Sequence, residues 1–129
     1  RMGVFSGLRP GESPLKESDA AAPIVRLPRV GFQAGEWHHL VVSWDHFETG
    51  KNDAIAQFFV DGKLIGELKN HDIAMRWEIE KTGIYLAVNF IGFMDEVAIF
   101  RRRLSHPEIK YLYDNPQYLH DSQPRNRPK

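Results

Sequence analysis

Carboxylates spaced to work in pairs would be the first sign of chemistry in this chain. Retaining glycoside hydrolysis needs two carboxyl groups about 5 Å apart on one face, an arrangement that a Glu-x-Asp-x-Glu strand provides and that this sequence lacks. The nearest approaches are Glu78-Ile79-Glu80 and Asp95-Glu96, and neighbours along a strand point to opposite faces, so Asp95 and Glu96 cannot act together. A serine hydrolase would need a Gly-x-Ser-x-Gly elbow, also missing; Ser43 and His39 share a strand face only through the period of two. His38 and His39 are adjacent, which sends them to opposite faces and prevents joint ligation of zinc. His39 therefore reads as a hydrogen-bonded sheet residue and His106 as a solvated one. The residues describe a chain that is not an enzyme.

Recognition is a better match to the residue types present. A sugar site uses aromatic platforms with hydrogen-bonding neighbours. Trp37, Trp77, Tyr85 and Phe47 are the aromatics not claimed by an obvious core, and His39, Asn89 and Asp45 are polar companions. Each of these aromatics can equally be a packing residue. Arg101-Arg102-Arg103 is the one conspicuous charge run; it reads as a solvated link or as a contact to an acidic partner surface.

The elements that must position these groups are strands. In Trp37 to Trp44 the residues His38, Leu40, Val42 and Trp44 share one face, and Trp37, His39, Val41 and Ser43 the other, so the first set is expected to face the core. Asp45 to Asn52 is a polar loop. Phe58 and Val60 lead into Asp61-Gly62, a type I′ hairpin signal, and Lys63 to Gly66 returns. Residues 71–80 are ambiguous between a helix and an irregular crossover. Ile84 to Val88 reads as a buried strand, and Met94 to Phe100 as a strand in which Val97 and Ile99 alternate with Glu96 and Ala98. Ser105 then fits a helix N-cap, with Glu108 completing a capping box and Leu104 and Ile109 a hydrophobic staple. The spacing predicts a helix from about 106 to 114, ended by Asn115-Pro116.

Bulk composition bounds the class. With 42% hydrophobic and 26% charged residues, the 129-residue chain suits one globular domain. Seventeen basic and seventeen acidic side chains cancel, leaving no field to draw in nucleic acid. No apolar run approaches the ~18 residues of a membrane span, so no membrane insertion is expected. The absence of cysteine excludes disulfides and thiolate chemistry. Residues 1–32 hold one or two short strands, at Met2–Leu8 and Pro23–Leu27, around a breaker-rich loop; 33–114 form the core domain; 115–129 read as a polar linker or tail.

Three stretches in order, Gly35-Glu36-Trp37-His38-His39-Leu40-Val41-Val42-Ser43-Trp44-Asp45, Phe58-Phe59-Val60-Asp61-Gly62-Lys63 and Gly92-Phe93-Met94-Asp95-Glu96-Val97 with its Leu-Ser-x-x-Glu-Ile helix start, resemble the laminin-G-like, concanavalin A-like jelly-roll family. The resemblance covers about residues 33–114. It implies an all-β, antiparallel jelly-roll sandwich, incomplete on its N-terminal side and carrying one short C-terminal helix. It also implies strands supplied by another segment or chain, unless a smaller sandwich closes by itself. Family members often hold calcium at the sandwich rim, and Asp45, Asn52, Asp53 and Asn89 are the loop oxygens placed to contribute; the alternative is that the aspartates cap turns.

Two functions follow as expectations. One is a non-catalytic recognition module of a larger protein, binding a glycan or a protein ligand through Trp37, His39, Trp77, Tyr85 and Asn89, with calcium as its one candidate cofactor. The other is a structural domain that packs against other domains or subunits. Placement outside the cytoplasm is implied by the resemblance alone.

Overall fold

The computed structural model describes residues 2–3, 16, 18–19, 22–26, 31–74 and 91–122. At its centre is a strand whose sequence, Ala54-Ile55-Ala56-Gln57-Phe58-Phe59-Val60, does not alternate because both of its faces are covered. Numbering in chain order, Met2–Gly3 (β1) pairs antiparallel with Ile24–Val25 (β2), and Leu40–Asp45 (β3), Ala54–Val60 (β4) and Lys63–His71 (β5) form an antiparallel meander with β4 in the middle. Two helices follow, His106–Asp114 (α1) and Tyr118–Ser122 (α2). The fold is the antiparallel sheet with a short C-terminal helix that the sequence implies, and α2 lies within the stretch read as a polar tail.

The β4–β5 hairpin forms as its sequence dictates. Val60 pairs with Lys63, leaving a two-residue loop in which Asp61 (φ 50°) and Gly62 (φ 71°) are both left-handed. That is the type I′ geometry, which fits the twist of the strands it joins. Further along, Phe58 opposes Gly66 while Phe59 opposes Leu64, so Ile65 is the extra residue of a bulge. Gly66 is required there for space, since a Cβ would collide with Val25 Cγ1 of β2.

Two apolar clusters hold β4, one on each face. On one, Ala56, Phe58 and Val60 pack with Val25, supported by Phe47 and Leu68. On the other, Phe59 packs with Leu104, Ile109 and Leu112, supported by Val41 and Leu119. Phe59 and Ile109 are the largest side chains fully removed from solvent. The helix that delivers Ile109 starts where its sequence says it must. Ser105 Oγ accepts from the Glu108 N–H, and the Glu108 carboxylate accepts from the Ser105 N–H at 2.8 Å. Leu104 and Ile109, on either side of that cap, are both buried as a staple. Arg102 forks onto the same carboxylate at 2.5 and 3.0 Å, and with the cap bonds this pushes the Glu108 carboxyl down to about 2.

Two expectations are corrected. The first concerns the face of β3. Ser43 is buried and Val41 half-buried, while Leu40, Val42 and Trp44 are 53, 46 and 47% exposed. The helix at the C-terminal end of the chain covers the Val41 and Ser43 side, a contact that alternation cannot foresee. The second concerns Met94 to Phe100, which is not a strand. Glu96 adopts φ 51° and interrupts the extended run, Asp95 Oδ1 accepts from the Glu96 N–H at 2.9 Å, and Val97 and Ile99 are exposed. Alternation supplies a face, but a strand also needs a partner for its N–H and C=O groups. The strand expected at Ile84–Val88 and the segment 75–80 lie outside the described residues.

These contacts set the scale of three substitutions. Ile109→Ala is expected to cost about 2–5 kcal/mol, because it opens a cavity beneath Phe59. Gly66→Ala should cost about 1–3 kcal/mol by displacing Val25, and Ser105→Ala about 1 kcal/mol through the lost cap. Urea denaturation followed by circular dichroism measures all three; an Ile109→Ala chain as stable as the parent would refute the double-sided clamp on β4.

Candidate functional site

The described polar and aromatic residues gather where the segment leading into β3 meets the β4–β5 turn. Register explains the meeting: Leu40 pairs with Val60, so His38 and His39 fall beside Asp61. Asp61 then makes more contacts than a turn residue needs. Its N–H donates to the His39 carbonyl at 2.9 Å, its Oδ1 accepts from the His39 N–H at 2.9 Å, and its Oδ2 lies 2.9 Å from His38 Nδ1. The other ring nitrogen, Nε2, is 3.3 Å from Glu36 Oε2. Phe32 stacks on the imidazole, ring centroids 4.0 Å apart and planes 16° from parallel. Between Glu36 and His38, Trp37 is 69% exposed.

The electrostatics of the two adjacent histidines are opposite. Hydrogen bonding to the Asp61 carboxylate raises His38 above the ordinary 6.5, against a smaller opposing effect of burial. Burial lowers His39 below 6.5, and the Asp61 charge only partly offsets it. His39 Nδ1 is buried without a hydrogen-bond partner among the described residues, and the ring tilts toward Tyr113 at 6.2 Å. Burial pushes the Asp61 carboxyl up, but the bonds from His38 and His39 together outweigh it and leave the group below its usual value.

The remaining candidates are spread out. Asp45, Asn52 and Asp53 lie at the far end of β3, a six-residue strand of roughly 20 Å, so the structure separates them from Trp37 and His39. Asp45 Oδ1 accepts from the His46 N–H at 2.8 Å, and Asp53 Oδ1 accepts from the Thr49 hydroxyl. Among the described residues no three His, Cys, Asp or Glu side chains are grouped to hold a metal ion. Trp77, Tyr85 and Asn89 lie outside the described residues.

In the arginine run Arg101 and Arg102 are exposed and Arg103 is half-buried. Arg102 is held by Glu108, and Arg103 donates to Gln57 Oε1 at 2.6 Å, in a chain that continues through Gln57 Nε2 to Glu67 and then to Lys69. His106 is exposed, as expected, while its ring stands at 81° to that of Phe59 with centroids 4.9 Å apart. The residues that sequence reasoning missed are Phe32, Glu36 and the side-chain role of Asp61. The signal that could have found them was the strand register, which puts Asp61 across from His39.

A family model described as the concanavalin A-like lectin/glucanases superfamily, in its laminin-G form, matches residues 18–110. The chain belongs to that superfamily. The match spans β2 to the first half of α1, and so includes the tryptophan-histidine segment, the Asp-Gly hairpin and the helix cap of this laminin-G-like domain. Among solved structures, the chain is similar to the 2.1 Å crystal structure of an S-layer domain-containing protein (residues 221–444) from Clostridium thermocellum ATCC 27405, at 22% identity and a TM-score of 0.46, covering 64% of this chain. The chain spans 41% of the length of that one. No curated protein sequence matches it.

Asp61 is testable as the joint between the segment entering β3 and the β4–β5 turn of this laminin-G-like domain. Asp61→Asn keeps an acceptor for the His39 N–H and tolerates the left-handed turn, whereas Asp61→Ala loses both, so the alanine variant should be about 1–2 kcal/mol less stable than the asparagine variant. Equal urea midpoints for the two would remove Asp61 from that role. His39 adds a pH dependence of known sign. Its folded pKa is lowered, so its contribution to stability is full above 6.5 and is lost as pH falls through the folded value. The imidazole proton resonances should show His39 titrating below 6.5.

Proposed function

We propose that this chain is a non-catalytic laminin-G-like module that works by packing an apolar sheet face against another domain or subunit of its parent protein. One observation carries the reading: Leu40, Val42 and Trp44 stand on one face of β3, about half exposed, beside the buried Val60, Phe58 and Ala56 to which they pair. In a sandwich this is the face that meets a second sheet. The segment from Ile91 to Phe100, where Ile91, Phe93, Val97 and Ile99 are all exposed, presents further apolar surface. Family membership supports a non-catalytic role, and the sequence has no Glu-x-Asp-x-Glu strand to oppose it. The same membership is the support for placing the module outside the cytoplasm. Among the described residues no helix is long and apolar enough to cross a membrane.

A second reading, glycan recognition, is favoured by Trp37, whose exposed ring sits between Glu36 and His38 as a stacking platform with polar neighbours. Calcium enters this reading only as an arm of its test, since Asp45 and Asp53 already serve local turns.

Light scattering and sedimentation velocity across a concentration series separate the two. Under the packing proposal the parent chain self-associates through the open face, and Val42→Asp abolishes the association while leaving the melting temperature nearly unchanged. A strictly monomeric chain that binds members of a glycan panel, in calcium or in EDTA, and loses that binding in Trp37→Ala would overturn packing in favour of recognition.

A further inference from the structure

His38 is placed so that both of its ring nitrogens face carboxylate oxygens, Nδ1 toward Asp61 and Nε2 toward Glu36, at 2.9 and 3.3 Å. An ionised carboxylate only accepts hydrogen bonds, and a neutral imidazole has only one N–H to donate. The observed arrangement is therefore satisfied in full only by the imidazolium ion. Phe32, stacked on the ring, offers the electron-rich face that such a cation prefers. We propose that His38, Asp61, Glu36 and Phe32 form a proton-operated latch that fixes the 32–37 segment, and with it the exposed Trp37, to the β4–β5 turn. The proposal concerns how this segment is held and does not rest on what the module binds.

The two arms of the latch are unequal, which determines the one that opens. Asp61 is anchored independently, by the His39 N–H and by its place in the hairpin turn. Glu36 is anchored more weakly. Its carboxylate also accepts from the Gln33 N–H at 3.3 Å, and its own N–H donates to the Gln33 carbonyl at 3.3 Å, closing a turn through the left-handed Gly35. When His38 loses a proton, the remaining N–H stays with Asp61 and the bare nitrogen faces the Glu36 carboxylate. That arm is released, and the 33–36 turn and Trp37 are freed together.

The charged surroundings favour the closed form. On its own segment His38 faces Glu36, and on the hairpin it faces Asp61; on the other side of Asp61, burial lowers His39 below 6.5. From α1, Lys110 and Tyr113 crowd Gly62, and Lys110 is already paired with Asp114. The raised His38 and lowered Asp61 set the window: the latch holds below 6.5 and is lost as pH rises through the higher folded value of His38, and at the acid end it is lost as pH falls through the folded value of Asp61, below 3.8.

Nitrogen–proton NMR of the full chain, titrated at constant ionic strength, tests this. The His38 ring should titrate above 6.5, and the Gln33 and Glu36 amides and the Trp37 indole N–H should shift through the same midpoint. The Gln33 amide should also exchange faster above it, beyond the intrinsic rise of exchange with pH. Glu36→Gln, at an exposed position, should lower the His38 midpoint and abolish the Gln33 and Trp37 response while leaving the His39 amide in place. A wild-type His38 midpoint at or below 6.5, or Glu36 and Trp37 signals that do not move through it, would overturn the latch.

Discussion

Everything described here depends on β4 being clamped from both sides. A three-stranded meander has little independent stability, because a small sheet with solvent on both faces buries too little apolar area to offset the ordering of its chain. β4 escapes that limit because Phe59 is capped by Leu104, Ile109 and Leu112 on one face while Phe58 and Val60 are capped by Val25 on the other. The clamp also determines what is left over. The helix covers the Val41 side of β3, but Val25, from a strand of two residues, reaches only the β4 and β5 part of the opposite face. Leu40, Val42 and Trp44 lie beyond that reach and are about half exposed, and they form the proposed packing surface.

The polar end of the domain is positioned by the same strand. Once Phe59 and Val60 are fixed, the two-residue loop that follows has one place to be, and Asp61 arrives there with its carboxylate beside the chain entering β3. A hairpin residue selected for a left-handed φ thereby becomes an acceptor for a backbone N–H and for a histidine ring. The half-buried chain from Arg103 through Gln57 to Glu67 does equivalent work on the helix side, tying the link before α1 to β4 and β5.

What could be read from the sequence was whatever is local. The capping box at Ser105, the staple of Leu104 and Ile109, the α1 limits and the Asp61-Gly62 turn each depend on residues within a few positions of one another, and each is found as expected. The inward face of β3 was not legible, because it depends on a helix more than sixty residues further along the chain. Met94 to Phe100 misled for the same reason: Val97 and Ile99 have the right period, but a strand needs a neighbour to bond, and Glu96 turns the backbone instead. Of the candidate site, Trp37 and His39 were visible as residue types. The latch around His38 was not, because Phe32, Glu36 and Asp61 are brought to it by register and by a turn.

His38 and His39 show how far strand geometry can separate chemically identical neighbours. One ring lies among carboxylates and favours its charged form; the other lies beside Tyr113, with a nitrogen that has no partner among the described residues, and favours its neutral form. Their effects on stability run in opposite directions on either side of 6.5. As pH rises toward that value His39 sheds a penalty, and above it His38 gives up a contribution. The contributions of these two histidines together are therefore greatest near 6.5. A proton leaving His38 is then felt first at the Glu36 arm beside it, because β4 remains clamped by apolar contacts that do not titrate. The apolar clamp on β4 thus stands beside a segment at its edge held by a titrating ring, and that separation lets a histidine act locally in a domain of this size.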